Sequence, residues 1–313
     1  MAATCAAYLL SHAGFTIHWQ PAGRARLPAI MLSESALGLI RDVFASPDLF
    51  RRAHGIRRRE VAWRPSEPSA VFEHSAVVVS EEELLAELPC PALFADAAAA
   101  VSLVASRSEN AHRFGTRTAE GSRVALKPGA DSAACCIESF AEGWLFLVPN
   151  GPQSAWLLSV GAGDLLSDSR VIAPRIESRQ AAAGRFPCYP AIAQQLAGPD
   201  WLPCGSAAMA FDPICGDGTA HAVREAVLAA AVVRAAQDGE PWETVSAHYE
   251  SRMILGFRRH LALALSFYRS GHGGAWWTAE ADAAAAGIEW CDQRAQAFGP
   301  PRYRLEGAEL RRI

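Results

Sequence analysis

The segment LPCGSAAMAFDPICGDGTAHAVREAVLAAA, residues 202–231, carries the most structural information in this chain. It predicts a strand end, a turn, the pair Asp212-Pro213, a short loop and then a long helix. Gly216 and Gly218 allow another group to approach the backbone closely. The first turn of a helix has unpaired N–H groups and a partial positive charge, so the segment suits an anion or an electron-rich carbonyl. An ordinary loop of turn residues is the alternative interpretation.

The composition is that of a globular protein. Half of the 313 residues are apolar, a fifth are charged, and the formal net charge is −4. This length allows about two domains. The absence of a basic excess disfavours a dedicated nucleic-acid binder, and no apolar run approaches the ~18 residues of a membrane span. We therefore expect neither nucleic-acid nor membrane partners.

The cysteines and the start of the chain bear on metals and location. Eight cysteines form no C-x-x-C pair, which disfavours a zinc ribbon or a thioredoxin-like site. The first residues lack the basic region of a secretory signal. We expect free thiols, a cytoplasmic location and no metal site. Cys135 and Cys136 are adjacent on a predicted strand and should point to opposite faces, so we expect structural thiols rather than a disulfide.

Hydrophobic periodicity predicts a mixture of helices and strands. A helix over 2–13 ends at Gly14, and FTIHW (15–19) predicts a strand, which together form the second half of a βαβ unit. Gly and Pro turns separate the later apolar runs and indicate an antiparallel meander. The further predicted helices are 33–44, 80–88, 219–237 and about 242–269; the further strands are 56–63, 71–80, 122–128, 133–140, 143–149 and 155–161.

Residues 205–218 resemble the second flavin motif of FAD-dependent monooxygenases and halogenases of the glutathione-reductase type. That motif runs G-D-A-A-x-x-x-D-P-x-x-G-x-G and is followed by a helix. In this chain Gly205 begins the pattern, and Ser206 replaces the family's Asp. The resemblance implies that Pro213 lies near the isoalloxazine ring and that the helix from Gly218 faces its N1/C2=O edge. A positive helix end there would stabilise an anionic reduced flavin.

Other segments match the same family in order, so that the resemblance covers roughly residues 1–270. Arg26 and Glu34 fall in a stretch similar to the family's R-x(n)-G-E-S element, which crosses the flavin. The run GWLFLVP (143–149) is similar to the halogenase signature W-x-W-x-I-P. Residues 1–19 look like the helix and second strand of the dinucleotide fold, with no counterpart of the first strand and its G-x-G-x-x-G.

The resemblance implies an α/β fold in three parts. A Rossmann-like FAD-binding domain of the glutathione-reductase type, incomplete at its N-terminus, would comprise 1–54 and 196–240. An inserted antiparallel β-sheet domain for the substrate would comprise 55–195, and C-terminal helices would occupy 241–313. The cofactor-binding residues implied are Arg26, Glu34, Gly205, Ser206, Asp212, Pro213, Gly216, Asp217 and Gly218.

Three titratable residues are candidates for catalysis. His74 and Glu138 lie inside strand patterns and could line a substrate pocket, although both could equally be surface positions. His221 lies in the first turn of the predicted flavin helix, where the helix N-terminus favours its neutral form; a plain helix-start histidine is the alternative.

The function implied is that of an FAD-dependent monooxygenase acting through a flavin hydroperoxide. The substrate would be a small molecule or a peptide, and NAD(P)H or a separate flavin reductase would supply the electrons. A halogenase is the second hypothesis. Halogenases of the family place a lysine soon after the G-E-S element, whereas 33–64 contains none and Lys127 is distant. The third is a degenerate flavoprotein that serves as a binding or accessory partner.

Overall fold

The helices pack on one another and on a large sheet. The computed structural model describes residues 1–18, 26–65, 67–89, 101–105, 110–182 and 184–313. The α-helices of this part are α1 (Ala2–His12), α2 (Glu34–Val43), α3 (Glu81–Glu87), α4 (Gly218–Gln237), α5 (Trp242–Ser270) and α6 (Ala275–Ala295). Within these residues, no helix has the length and apolarity needed to span a membrane.

The large sheet has nine strands and is mixed. Its strands are β1 (Ile30–Ser33), β2 (His54–Ala62), β3 (Ala70–Val79), β6 (Thr118–Leu126), β7 (Ala134–Phe140), β8 (Gly143–Gly151), β9 (Ser154–Gly161), β10 (Ile176–Arg179) and β11 (Arg185–Pro187). The order is β1-β3-β2-β7-β8-β9-β6-β10, and β11 also pairs with β6. Only β2 and β7 run parallel among these pairs. The predicted antiparallel meander is therefore confirmed for β7, β8 and β9, with β6 added beside β9.

Three smaller sheets complete the strand inventory of the described residues. β4 (Ser102–Val104) runs parallel to β13 (Trp201–Pro203). β12 (Ala191–Ala193) lies between β5 (Ala111–Arg113) and β14 (Met209–Ala210). β15 (Tyr303–Glu306) and β16 (Glu309–Arg312) form a terminal hairpin. The parallel strand β13 leads directly into the loop that carries the predicted flavin motif.

The helix starts follow the local rules that the sequence suggested. Ser33 caps α2 by accepting a hydrogen bond from the Ala36 N–H. Ser80 and Glu83 form the predicted capping box at the start of α3, in which each side chain accepts the other residue's backbone N–H. These helix starts confirm the predictions for 33–44 and 80–88.

Two predictions differ from the structure. The strand expected over 15–19 is absent from residues 15–17, and His18 forms only a single bridge; Trp19 lies outside the described residues. Phe15 and Ile17 instead pack singly against the helical core. The C-terminal helices expected over 241–313 are present, but the sequence analysis gave bounds only for the helix over about 242–269 and none for the 21-residue helix α6. Its Ala-rich composition gives high helix propensity, but the Gly and Trp residues at its start obscured the pattern.

The two faces of the sheet bury different side chains. Cys135 packs with Val78 and Val148 on one face, whereas Cys136 packs with Leu145 and Leu157 on the other. Both thiols are free, as the alternation of strand side chains predicted. The face that carries Trp144 packs against α5, α6 and the loop that precedes α4, which places that loop on a rigid support.

Trp144 provides a test of this packing. Its side chain is fully buried, and its indole N–H has no hydrogen-bond partner within the described part of the chain. We expect Trp144→Ala to lower the free energy of unfolding by about 3–5 kcal/mol. Trp144→Phe should cost less than about 1.5 kcal/mol, because it keeps a large ring and removes the unpaired donor. Urea denaturation measures both; equal losses would contradict this packing.

Candidate functional site

The loop from Asp212 to Gly218 has the backbone geometry that its residues predict. Asp212 caps the 3₁₀ turn Pro213–Cys215, since its Oδ1 accepts a hydrogen bond from the Ile214 N–H at 3.1 Å. Gly216 follows in the left-handed region, with φ of 67°. Helix α4 then begins at Gly218. A Cβ at Gly218 would meet no heavy atom within 4 Å beyond its chain neighbours and its own helix, so there is open space beside the first residue of the helix.

A buried charged network holds Asp212. Arg117, just before β6, donates hydrogen bonds to Asp212 and to Glu280 of α6. The Tyr268 hydroxyl of α5 donates to the Asp212 Oδ2 at 2.9 Å, and the Arg117 guanidinium lies 4.8 Å from the Tyr268 ring centroid. Burial raises the pKa of Glu280, although Arg117 opposes the shift. The network fixes the loop to the sheet and to both C-terminal helices.

Asp217 lies between two histidines. His221 Nε2 is 2.9 Å from the Asp217 Oδ2, and His260 Nδ1 of α5 is 3.5 Å from the Asp217 Oδ1. Burial acts to raise the pKa of Asp217, but the two histidines outweigh it and hold this pKa below its ordinary value. Phe211 stacks on the His221 ring at 4.3 Å and meets the His260 ring edge-on at 4.7 Å.

The chemistry of His260 argues against a metal at this place. Cys215, Asp217 and His260 offer ligand atoms that all lie within 4.8 Å of one another. However, the backbone N–H of Asp212 donates to the His260 Nε2 at 2.8 Å. A neutral imidazole has one lone pair and one N–H, so Nδ1 carries the proton and cannot bind a cation. Burial, followed by Asp212 and Asp217, also raises the pKa of the Cys215 thiol strongly, which disfavours a thiolate ligand.

The beginning of the motif packs against α1. Gly205 has φ of +58°, and a Cβ there would lie 2.7 Å from the Ala2 Cβ, so a larger residue would separate α1 from the loop. The Gly205 N–H donates to the Glu225 Oε2 at 2.8 Å. Burial raises the pKa of Glu225 well above its ordinary value, despite this hydrogen bond. The exposed Ser206 hydroxyl donates to the Ala105 carbonyl at 3.2 Å.

Glu34 and His74 share a surface cavity. This cavity has a volume of about 460 Å³ and is lined by Ser33, Glu34, Ser35, Glu73, His74 and Ser75. Arg59 donates to the His74 Nε2 at 3.2 Å, and burial followed by the Arg59 charge lowers the pKa of His74. Arg59 also lies 6.0 Å from the Phe146 ring centroid. Phe146 packs against the cluster that contains Ile214, which links the cavity to the loop.

The remaining candidates lie apart from this arrangement. Glu138 accepts hydrogen bonds from the Ser169 hydroxyl and from the backbone N–H groups of Arg170 and Ile172. This places its carboxylate in the 169–172 turn, where it anchors the backbone. Arg26 is exposed ahead of β1, and Lys127 is exposed beyond the end of β6. The structure thus groups Asp212, Pro213, Gly216, Asp217, Gly218 and His221, and separates Glu138 from them.

Sequence reasoning missed four residues of this site. Arg117, Tyr268, His260 and Glu280 belong to no recognisable motif, and they reach Asp212 and Asp217 only through the tertiary fold. A buried charge is not visible in a single sequence, although charged residues inside otherwise apolar helix faces, such as Glu280 and His260, are a weak signal.

Comparisons with known proteins bear on the fold. No family model matches the chain, and no curated protein matches its sequence. One similar solved structure is QhpG, a peptidyl tryptophan dihydroxylase essential for tryptophylquinone cofactor biogenesis. It is 18% identical to this chain, with a TM-score of 0.68, and the alignment covers 89% of this chain and 76% of QhpG. The myxobacterial chondrochloren halogenase CndH is 14% identical with a TM-score of 0.70, covering 96% of this chain and 89% of CndH.

A third structure belongs to the same group. The flavin-dependent monooxygenase PieE, solved with FAD and substrate, is 12% identical with a TM-score of 0.56, covering 94% of this chain and 70% of PieE. The alignments cover most of each chain, but their identities are low enough that they establish the fold alone. The chain therefore has the fold of FAD-dependent monooxygenases and halogenases, as its motifs led us to expect.

Proposed function

We propose that this protein is an FAD-dependent monooxygenase that hydroxylates an organic substrate, either an aromatic small molecule or a side chain of a peptide. The observation that carries the proposal is the loop 212–218. Its left-handed Gly216 turns the chain so that a 20-residue helix begins at an open space. Such a helix start suits the electron-rich edge of a flavin.

The glycines and the open helix start of the loop support a cofactor site in this place. Asp212, Pro213, Gly216 and Gly218 would border the isoalloxazine ring, with Asp217 contributing its backbone while its carboxylate faces His221 and His260. Gly205 and Ser206 would lie toward the ribityl chain. Arg26 and Glu34 would approach from the segment that crosses between the two domains. When bound, reduced FAD supplies the electrons with which dioxygen is activated. NAD(P)H or a separate flavin reductase would reduce the cofactor.

The protein's own groups would position the substrate and exclude water. The sheet face beside the loop presents Phe146 and Trp63, which are apolar and half-buried. Arg59 and the neutral His74 add hydrogen-bonding groups at its margin. His221 lies closest in sequence to the loop, and its Nε2 is 2.9 Å from the Asp217 carboxylate. We assign His74 and His221 to the lining of the catalytic pocket. Glu138 instead anchors the backbone of the 169–172 turn.

We place the cofactor domain in 1–54 and 196–240, with the sheet of 55–195 inserted for the substrate and the helices of 241–313 packed behind both. Helix α1 packs against Gly205 through Ala2, and we assign both to the cofactor domain. The seven cysteines within the described residues are free thiols, which supports a cytoplasmic location. A peptide substrate has a precedent in QhpG, which is a peptidyl tryptophan dihydroxylase.

A halogenase remains the second hypothesis because CndH shares the fold. Halogenation needs a group that carries the activated halogen, and residues 33–64 contain no lysine. The guanidinium of Arg59 stays protonated and makes a poor carrier. Residues 33–64 thus supply no lysine to carry the halogen, and we rank oxygenation above halogenation.

Gly218→Ala tests the cofactor site separately from folding. The backbone at Gly218 is outside the left-handed region and a Cβ would meet no protein atom, so stability should change by less than about 1 kcal/mol. The added methyl group would occupy the space in front of α4 and should weaken FAD binding by about tenfold or more, equivalent to ~1.4 kcal/mol. Fluorescence titration with FAD gives the affinity.

Gly38→Ala is the matched control, because Gly38 lies within α2 with no atom near its Cβ position. It should leave FAD affinity unchanged and stabilise the fold by about 0.5–1 kcal/mol. If both variants bind FAD like the unaltered protein, the cofactor does not lie at the start of α4.

Isotope labelling separates the candidate activities. Purified protein would be supplied with FAD, a flavin reductase, NADH and ¹⁸O₂, and screened against indoles, phenols and tryptophan-containing peptides by mass spectrometry. We expect a product that gains one labelled oxygen without any need for halide. A product that appears only with chloride or bromide would establish the halogenase instead, and folded, FAD-loaded protein that yields neither would favour the accessory role.

A further inference from the structure

Asp217 is an N-cap residue that does not cap its helix. It precedes Gly218 at the start of α4, yet its carboxylate accepts no hydrogen bond from a backbone N–H of the first turn. Aspartate is among the strongest N-cap residues because its oxygens accept the N–H groups of the first turn, and the helix dipole adds to the attraction. Ser33 and Ser80 cap α2 and α3 in the ordinary way. Another interaction must therefore hold the Asp217 carboxylate.

The competing interaction comes from His221 and His260. His221 Nε2 lies 2.9 Å from the Asp217 Oδ2. His260 Nδ1 lies 3.5 Å from the Asp217 Oδ1, at ion-pair distance, and these two buried atoms have no hydrogen-bond partner within the described residues. The His260 side chain is completely buried. Both oxygens of the carboxylate thus face histidine nitrogens instead of the helix.

The orientation of His260 is fixed from its opposite side. Its Nε2 accepts the backbone N–H of Asp212 at 2.8 Å, which requires the proton to reside on Nδ1. That proton points toward Asp217. Because Asp212 and Asp217 are the two ends of the loop, one buried imidazole contacts both ends. Phe211 packs against both histidine rings and keeps them in place.

We propose that His260 is a positioning residue which, together with His221, withholds the Asp217 carboxylate from the first turn of α4 and so leaves that turn to the electron-rich edge of the cofactor. The inference rests on the proposed function, since it assigns the uncapped N–H groups of the first turn of α4 to FAD. A released Asp217 would place a full negative charge at the N–H groups that the flavin needs. The histidine pair would therefore favour ligand binding at the expense of helix capping.

This arrangement predicts opposite effects on stability and on binding. Releasing Asp217 would allow it to cap α4, which supports the fold, and would at the same time obstruct the cofactor. If the histidine had a purely structural role, its replacement would lower both the stability of the protein and its affinity for FAD. Opposite changes in stability and in FAD affinity would indicate a positioning role, and a decrease in both would indicate a packing role.

The test uses paired replacements of His260. In His260→Gln the amide oxygen can still accept the Asp212 N–H, but no donor remains at the place of Nδ1. The FAD dissociation constant should rise about fivefold or more, the factor that an N-cap aspartate is worth, and Tm should stay level or rise. In His260→Asn the amide N–H can still face Asp217, so FAD affinity should change little while Tm falls, because the Asp212 N–H is left unpaired.

Two further variants complete the comparison. His248→Gln replaces another buried histidine of α5, which packs against Tyr303, and should leave FAD affinity unchanged. The double variant His260→Gln/Asp217→Ala removes the released carboxylate and should regain most of the lost affinity. The proposal is overturned if His260→Gln binds FAD as tightly as the unaltered protein, or if the double variant binds as weakly as His260→Gln.

NMR of the FAD-free protein tests the inference independently of the proposed function. We expect the ¹⁵N signals of His260, assigned by their loss in His260→Gln, to show a proton on Nδ1 and none on Nε2. In His260→Gln the amide signals of Thr219 and Ala220 should shift as Asp217 caps the helix, and this shift should vanish in the double variant. A proton on Nε2, or unshifted amide signals, would overturn the proposal even if FAD binds; correct NMR signatures without any FAD binding would instead refute the proposed function.

Discussion

The ion pair between Arg117 and Asp212 connects the parts of the molecule that build the candidate site. Arg117 directly precedes strand β6 of the large sheet, and Asp212 begins the loop that leads into α4. Both side chains are almost completely inaccessible to solvent, at 1% and 0% exposure. Removal of either partner from such a pair leaves an uncompensated buried charge, at a cost on the order of 3–5 kcal/mol. The loop therefore cannot move independently of the sheet.

The surroundings of this pair explain how the site stays both charged and rigid. Tyr268 and Glu280 bring α5 and α6 to the same point, so that the C-terminal helices cover the buried charges. His260, about two turns before Tyr268 on α5, accepts the Asp212 backbone N–H and faces Asp217. Arg117 thus holds the loop at Asp212, and His260 faces it at Asp217. The result is a helix start whose N–H groups remain open to a ligand while all neighbouring charges are fixed by the protein.

The sequence predicted the features that depend on local rules and missed those that depend on tertiary contacts. The Asp-Pro pair, the glycines, the long helix α4 and the antiparallel meander all follow from residue type and periodicity. The run FTIHW has the composition of a strand, but residues 15–17 do not form one, because Phe15 and Ile17 pack separately against the helical core. Arg117 and His260 lie 95 and 48 residues from Asp212, and no spacing rule relates residues so far apart.

Cofactor retention tests the account most directly. The purified 313-residue protein would be incubated with FAD, desalted, and examined by visible absorption spectroscopy, with circular dichroism to establish that it is folded. The account predicts a retained flavin spectrum whose bands are shifted and better resolved than those of free FAD, in a ratio approaching one flavin per chain. Folded protein that emerges without flavin would contradict the assignment of the 212–218 loop and of the α4 start to FAD.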